Sequence, residues 1–370
     1  MNIPVNTPLL DGNEKKYLNE CIESGWISSE GPFVKEFEEK FASRVNRKFG
    51  IAVCNGTVGL ELAVKAIGIN PGDEIILPSF TIISCAAAIV RAGAIPVLVD
   101  SDPVTWNMDV SKIEEKITSR TKAIMVVHTY GLPVDMDTVI AVANKHNLKI
   151  IEDAAEAHGL LYKGKPCGSF GDVSVFSFYP NKHVTTGEGG MVLTNDFEIS
   201  NLSKSLRNLC FLPERRFIHE DLGWNFRMNN LQAAVGLAQL ERLDEFIEIK
   251  KTMGKLYNET LSGIDSIQNP LLQTSFAENI FWVYGLVLKN KDLKYRDELT
   301  KELAKRGIGT RPFFWCMHEQ PILKKMGFFQ NETYPVAEKM ARCGFYIPSG
   351  LALQANEIKY VSETLNLLLK

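Results

Sequence analysis

Between residues 50 and 200, short apolar runs alternate with stretches whose apolar residues recur at helical spacing. Seven runs stand out: 50–54, 74–77, 95–99, 123–127, 149–151, 173–176 and 190–193. Most are continuous rather than alternating, which suits strands buried on both faces. Between them lie patterns such as Asp135 to Asn147, apolar along one helical face. Strand and helix alternating at about 25-residue intervals predict an α/β fold, a mostly parallel seven-stranded sheet with helices on both faces. Further on, Leu231, Val235, Leu237, Leu240, Leu243, Phe246 and Ile249 predict one long helix over 230–260. The remainder mixes short strands and helices and predicts a smaller C-terminal α+β domain. Residues Asn13 to Ser24 predict a helix, followed by an irregular arm. The expected division is therefore 1–35 for the N-terminal helix and arm, 36–250 for a large domain and 251–370 for a small one.

Composition narrows the class. Hydrophobic residues make up 45% and charged residues 23%, which excludes a disordered polymer. The 41 basic and 44 acidic residues are interspersed, so no basic face for nucleic acid or an anionic membrane is expected. The longest apolar stretch, Ile82 to Val90, is interrupted by Ser84 and is far short of the roughly 20 residues that span a bilayer. Met1 to Asn6 lack the basic and apolar regions of a signal peptide. Seven scattered cysteines without a CxxC pair argue against a disulfide framework or a zinc site and fit reduced thiols in the cytoplasm. A soluble cytoplasmic enzyme is the expectation.

Three strand ends carry candidate chemistry. After the run ending at Cys54 come Asn55, Gly56 and Thr57, then a helical pattern through Leu60, Ala63, Val64 and Ile67. Small residues there leave N–H groups free at a helix N-terminus, a ready phosphate site, although an Asn/Thr helix cap accounts for them equally well. Ile150-Ile151 runs into Glu152 and Asp153, placing an acid at the carboxyl end of a parallel strand, where ligand crevices form. A solvated strand end or a metal ligand are the alternatives, and one Asp with one nearby His is weak for metal. The third segment runs from Phe176 through Ser177 and Lys182 to Gly187-Glu188-Gly189-Gly190. Alone, its lysine reads as a surface residue. A phosphate cradle, a carboxylate and a lysine at successive strand ends together describe a pyridoxal phosphate site.

At these residues the chain resembles the sugar-nucleotide aminotransferases of the DegT/DnrJ/EryC1/StrS family. The resemblance extends from Gly25-Trp26-Ile27-Ser28-Ser29 to Arg311-Pro312-Phe313-Phe314, through Cys54-Asn55-Gly56-Thr57, Glu152-Asp153-Ala154-Ala155 and Thr186-Gly187-Glu188-Gly189-Gly190. It implies the pyridoxal phosphate transferase fold of type I and pyridoxal 5'-phosphate as cofactor. Lys182 matches the Schiff-base lysine and Asp153 the partner of the pyridine nitrogen. Glu156 stands where many members have Gln beside the ring oxygen, while Gly56, Thr57 and Ser177 match phosphate contacts. Asn225 matches an asparagine that reaches the phosphate from a partner subunit, implying a homodimer with shared sites. Arg311 and His318 lie in the stretch associated with the nucleotide-sugar pocket; Trp26 and Ser29 are candidate substrate contacts or part of a docking arm. No metal is implied.

The implied reaction is 4-amination of a nucleotide-linked 4-keto-6-deoxyhexose by L-glutamate, with GDP-4-keto-6-deoxymannose giving GDP-perosamine. The same reaction on a dTDP- or UDP-linked keto sugar remains open. A dehydratase branch replaces the lysine by histidine, but counting back from Gly187 puts the reactive position on Lys182, with His183 one step late. A non-enzymatic regulator would be expected to have lost Lys182 or Asp153. Two departures stand out: Ile82 occupies a place where members commonly stack an aromatic residue on the cofactor ring, and Pro180 a place where glycine is usual. His128 and His158, at strand ends, are further candidates to line the pocket.

Overall fold

All seven apolar runs become strands of one sheet in the computed structural model, which describes residues 2–212 and 214–369; Met1, Pro213 and Lys370, including the extreme ends of the expected first and last units, lie outside the described residues. The strands are β1 (Phe49–Val53), β2 (Glu74–Pro78), β3 (Ile95–Val99), β4 (Thr121–Val127) and β5 (Lys149–Asp153), followed, after a small hairpin of β6 (Leu161–Tyr162) and β7 (Lys165–Pro166), by β8 (Val173–Ser177) and β9 (Gly190–Thr194). Their order is β1-β9-β8-β5-β4-β2-β3, and only β9 runs against the others. Alternate residues enter opposite apolar layers: Ile51, Ile75 and Met125 one, Ala52, Ile76 and Ile124 the other, all fully buried. At about 1.5–3 kcal/mol for each large aliphatic side chain removed from water, these two layers hold the sheet between its helices.

The register fixes where the three candidate segments meet. Val53 of β1 and Ser177 of β8 both pair with Gly190, while Asp153 of β5 pairs with Val175. The carboxyl ends of β1, β8 and β5 therefore share one edge, and the chain crosses that edge from β8 to β9 in the loop that carries Lys182.

Elsewhere the structure corrects the pattern. The expected long helix is two, Asn230–Leu240 and Leu243–Leu261, broken where Arg242 leaves helical geometry. At the break Glu241 accepts from Asn13 and Tyr17, and Arg242 pairs with Asp11 and Glu245. The first of these helices is buried beneath Glu14–Ser24 and Pro32–Arg44, whereas the second also packs on the C-terminal helix Ala355–Leu369. Two differently directed partners force the bend, and apolar spacing cannot register it. The irregular arm is only residues 25–31, because Pro32, with its φ already set, opens a helix behind Gly31.

The helix Leu243–Leu261 runs through the 250/251 boundary into the smaller unit. That unit holds an antiparallel sheet of β10 (Ile267–Gln268), β11 (Tyr284–Leu288), β12 (Arg311–Pro312) and β13 (Gly344–Ile347), ordered β10-β11-β13-β12. Ile3 is buried and forms an isolated bridge with Ile308, tying the N-terminal segment to the chain just before β12. Among the described residues no helix is long and apolar enough to cross a membrane.

Candidate active site

A cleft of about 640 Å³ opens over the shared carboxyl edge, lined by residues that include Gly56, Thr57, Asp153, Glu156, Ser177 and Lys182. Six of the residues singled out from sequence thus share one cavity.

The cradle begins with the helix Gly56–Ala66. Asn55 caps it, its side chain accepting from Val58 N at 3.0 Å. The capping account is therefore correct, and it leaves the first-turn N–H groups of Gly56 and Thr57 without intrahelical acceptors. A methyl group on Gly56 would lie 2.8 Å from Ser177 Cβ, and one on Gly190 would lie 2.8 Å from Gly56 N. Glycine is required at both places for strand, helix and Ser177 to close around the same spot. Thr57 Oγ1 also meets Ser84 Oγ at 2.8 Å, adding a hydroxyl from the neighbouring helix Ile83–Arg91.

Asp153 is buried and its two oxygens have one neutral donor each: Ala155 N to Oδ1 and the Cys85 thiol to Oδ2, both at 3.1 Å. Burial pushes its pKa up, against the pull of Cys85, Ala155 and the Lys182 charge. This carboxylate is short of a cation.

Lys182 follows a tight turn in which its N–H donates to Tyr179 O at 2.9 Å. Pro180 occupies the second position of that turn, where its fixed φ is favourable, which accounts for the departure from glycine. The Lys182 amine lies 3.7 Å from Glu156 Oε1 and 3.7 Å from the centre of the Trp282 ring. Burial lowers the lysine's pKa, while Glu156 and Asp153 hold it up. Burial likewise raises Glu156 to about 7 despite the lysine beside it, and Tyr130 N donates to Oε2 at 2.9 Å. The site thus holds an amine and two carboxyl groups whose charged forms all suffer from the loss of water.

The histidines expected near the pocket do not line it. His128 donates to Glu152 at 3.1 Å, deep in a buried network in which Glu152 also accepts from Gly168, Phe170 and Gly171. His158 is held near pKa 3 by burial and accepts from Val184 N. His183 turns away from the cleft toward Ile280 O at 3.2 Å. Lys182, not its neighbour, faces the cavity.

Five other sequence candidates lie outside this chain's cleft. His318 is a correction: it is buried, with Nδ1 on Ser79 Oγ at 2.8 Å and Nε2 on Glu338 at 3.1 Å, leaving no ring nitrogen for a substrate. Arg311 is exposed and pairs in register with Tyr346, which does line the cleft. Trp26 and Ser29 lie beside the N-terminus of the helix Asn230–Leu240, where Asn230 donates to Trp26 O at 2.7 Å. Asn225 is exposed on a segment paired with Asn208. Conversely, sequence reasoning missed Trp282, Phe314 and Tyr346, which close the cleft from the small unit, and Ser84 and Cys85. Ser84 had a signal, as the one polar residue in an apolar run, and Phe314 lies in the Arg311-Pro312-Phe313-Phe314 stretch of the resemblance; Trp282 and Tyr346 had none.

Residues 8–366 match the DegT/DnrJ/EryC1/StrS aminotransferase family. The chain is 42% identical to a GDP-perosamine synthase of Escherichia coli O157:H7, covering 98% of both chains. It is 43% identical to a GDP-perosamine synthase of Caulobacter vibrioides, covering 98% of this chain and 97% of the other. The fold superposes with a TM-score of 0.94 on a Streptococcus pneumoniae protein assigned as a sugar aminotransferase and solved in PLP and PMP forms, at 26% identity over 100% of this chain and 98% of the other. Family match, curated relatives and superposed fold agree, and the chain belongs to the DegT/DnrJ/EryC1/StrS aminotransferase family.

Proposed function

We propose that this cleft transfers the amino group of L-glutamate to GDP-4-keto-6-deoxymannose, giving GDP-perosamine, with pyridoxal 5'-phosphate as cofactor. The observation that carries the reading is the convergence of a largely buried amine, Lys182, with an unpaired buried carboxylate, Asp153, and a glycine-built helix N-terminus in one cavity. The donor set fits the cofactor. The Gly56–Thr57 turn offers N–H groups to a phosphate ester where a single Cβ would block approach, and Asp153 needs a cation such as a protonated ring nitrogen. When bound, pyridoxal 5'-phosphate supplies an electron sink for a carbon that loses its proton.

The chain's own residues do the rest. Lys182 Nζ, which faces the cleft beside Glu156, would be the covalent anchor for the cofactor and, once free, the base that takes the proton from the α-carbon of glutamate and delivers it to the cofactor's carbon. Asp153 would hold a proton on the ring nitrogen, and Glu156, 3.7 Å from the lysine amine, would serve the ring oxygen. Thr57 and Ser177 add hydroxyl donors for phosphate. Trp282 and Phe314 restrict water above the lysine, and Arg311, Trp26 and Ser29 remain candidates for the nucleotide-sugar end. The amino sugar's nucleotide is read by mass spectrometry after incubating the chain and glutamate with GDP-, dTDP- and UDP-linked 4-keto sugars. The GDP-linked ketone should be converted to its 4-amino product at least about tenfold faster than the others, a difference of about 1.4 kcal/mol. Preferential amination of a dTDP- or UDP-linked sugar would reject the substrate while leaving the transaminase reading intact.

We further propose a homodimer in which Asn225 serves the partner's phosphate site. Asn225 is absent from its own chain's cleft, and its segment exposes Phe217, Leu222 and Trp224, apolar surface that a second chain would cover. Chains carrying Asn225→Ala, mixed with chains carrying Lys182→Ala, should regain activity, because one site in each heterodimer then has both groups. Verified heterodimers without any recovery would show that Asn225 does not act across the interface. The seven free cysteines support the cytoplasm as the compartment.

A further inference from the structure

Behind the Lys182 turn lies a second buried lysine that the proposed chemistry does not use. Lys250, on the helix Leu243–Leu261, is 2% exposed, and among the described residues no carboxylate pairs with it. Its amine donates instead to two backbone carbonyls, Trp282 O at 2.8 Å and Ser349 O. Burial alone pulls its pKa down to about 7, and its N–H groups meet the two carbonyls. Burying an amine in this way is costly compared with an apolar side chain of the same length, so the contact calls for a reason beyond packing.

The contact falls on a strained piece of chain. Phe281 has φ +48°, a left-handed conformation uncommon for an aromatic residue. The same helix grips both sides of it. Gly254 lets the Phe281 ring approach so closely that a methyl there would lie 2.3 Å away, and Tyr257 packs on Tyr284 with ring centres 4.7 Å apart. Trp282 sits between these holds. Its indole N–H donates to Asn181 O at 2.8 Å, and its ring face lies over the Lys182 amine.

We propose that Lys250 is a positioning residue for the reaction: it fixes the backbone of Trp282 so that the indole face stays against the Lys182 amine. The inference rests on reading Lys182 as the amine that captures the cofactor. An aromatic face favours the ammonium form of an amine. Displacing it therefore moves the titration of Lys182 to lower pH, whereas deleting a nearby positive charge without moving the indole would move it to higher pH.

The test measures, on the full-length cofactor-free chain, the rate of covalent capture of added pyridoxal 5'-phosphate against pH, trapped by borohydride and counted by mass spectrometry. Lys250→Met is expected to lower the plateau rate at least about fivefold and to move the pH midpoint downward. Trp282→Leu, with Lys250 intact, should move the midpoint the same way, and it decides the matter if Lys250→Met does not fold. A midpoint that stays in place or rises in either folded variant overturns the inference, even if the melting temperature falls, since that assigns Lys250 to stability alone. Lys182→Ala separates the two failures: capture that persists there overturns the reading of Lys182 itself, independently of Lys250.

Discussion

Replacing Lys182 by alanine is expected to abolish borohydride-trappable attachment of pyridoxal 5'-phosphate and to slow the glutamate half-reaction by about 10³-fold or more, while the cofactor still binds through its phosphate and ring nitrogen. The size follows from two losses at one atom, the covalent anchor and the proton carrier, and positioned general acid–base groups alone contribute about 10²–10⁴. Among the described residues no other lysine lines the cleft: the one other basic side chain there, Arg91, is a guanidinium paired with Glu61. Lys250 is committed to two carbonyls behind the turn, and His183 faces Ile280. Neither is placed to substitute. The measurement is stopped-flow absorbance of the cofactor-saturated variant on mixing with glutamate, beside mass spectrometry after borohydride. Wild-type transamination by Lys182→Ala would remove Lys182 from the mechanism.

The ease of finding this residue in the sequence, and the difficulty of finding its neighbours, have one physical origin. Asp153, Gly56 and Lys182 each stand just beyond an apolar run, and a parallel sheet brings the carboxyl ends of its strands to one edge. Local pattern plus that rule was enough to assemble them. Trp282, Phe314 and Tyr346 reach the same cleft from the small unit, on short strands and loops whose placement depends on long-range packing. Nothing in their immediate sequence marks them as facing a lysine about 100 or more residues away, since period and propensity describe faces, not destinations. Cys85 was hidden differently. It sits in an apolar helical run and reads as core, which it is, yet its thiol is aimed at Asp153.

His318 is the opposite case. Its position after Arg311-Pro312-Phe313-Phe314 marked it as a substrate contact by resemblance, but Ser79 and Glu338 occupy both ring nitrogens in the buried interior. The helix broken at Arg242 is a third kind of case. Apolar spacing persists across Leu240 and Leu243, so the pattern reads straight through a bend at which Glu241 and Arg242 meet Asp11, Asn13 and Tyr17, more than 200 residues away in sequence.

Asp153→Asn is expected to leave cofactor binding largely intact and to slow the glutamate half-reaction by about 100-fold, or about 2.7 kcal/mol. In the proposed reading the carboxylate's role is electrostatic: its negative charge would keep a proton on the cofactor's ring nitrogen, which makes that ring a better electron sink. One pKa unit on the ring is about 1.4 kcal/mol, so losing the charge can cost two or more such units where water is excluded. A strand-end cap would behave differently, and stability separates the two. Burial raises the pKa of Asp153 in the folded chain above its unfolded value. Its contribution to stability is therefore present below the unfolded pKa and is lost as pH rises through the folded one, so at neutral pH the ionised group is a burden in the cofactor-free protein. Asparagine removes that burden. Cofactor-free Asp153→Asn should melt at or above the wild-type temperature at pH 8, and less favourably against wild type at pH 4. A capping role predicts a lower melting temperature at both pH values with normal turnover per folded molecule. A half-reaction within about threefold of wild type, only about 0.65 kcal/mol of barrier, would leave no room for the electrostatic role.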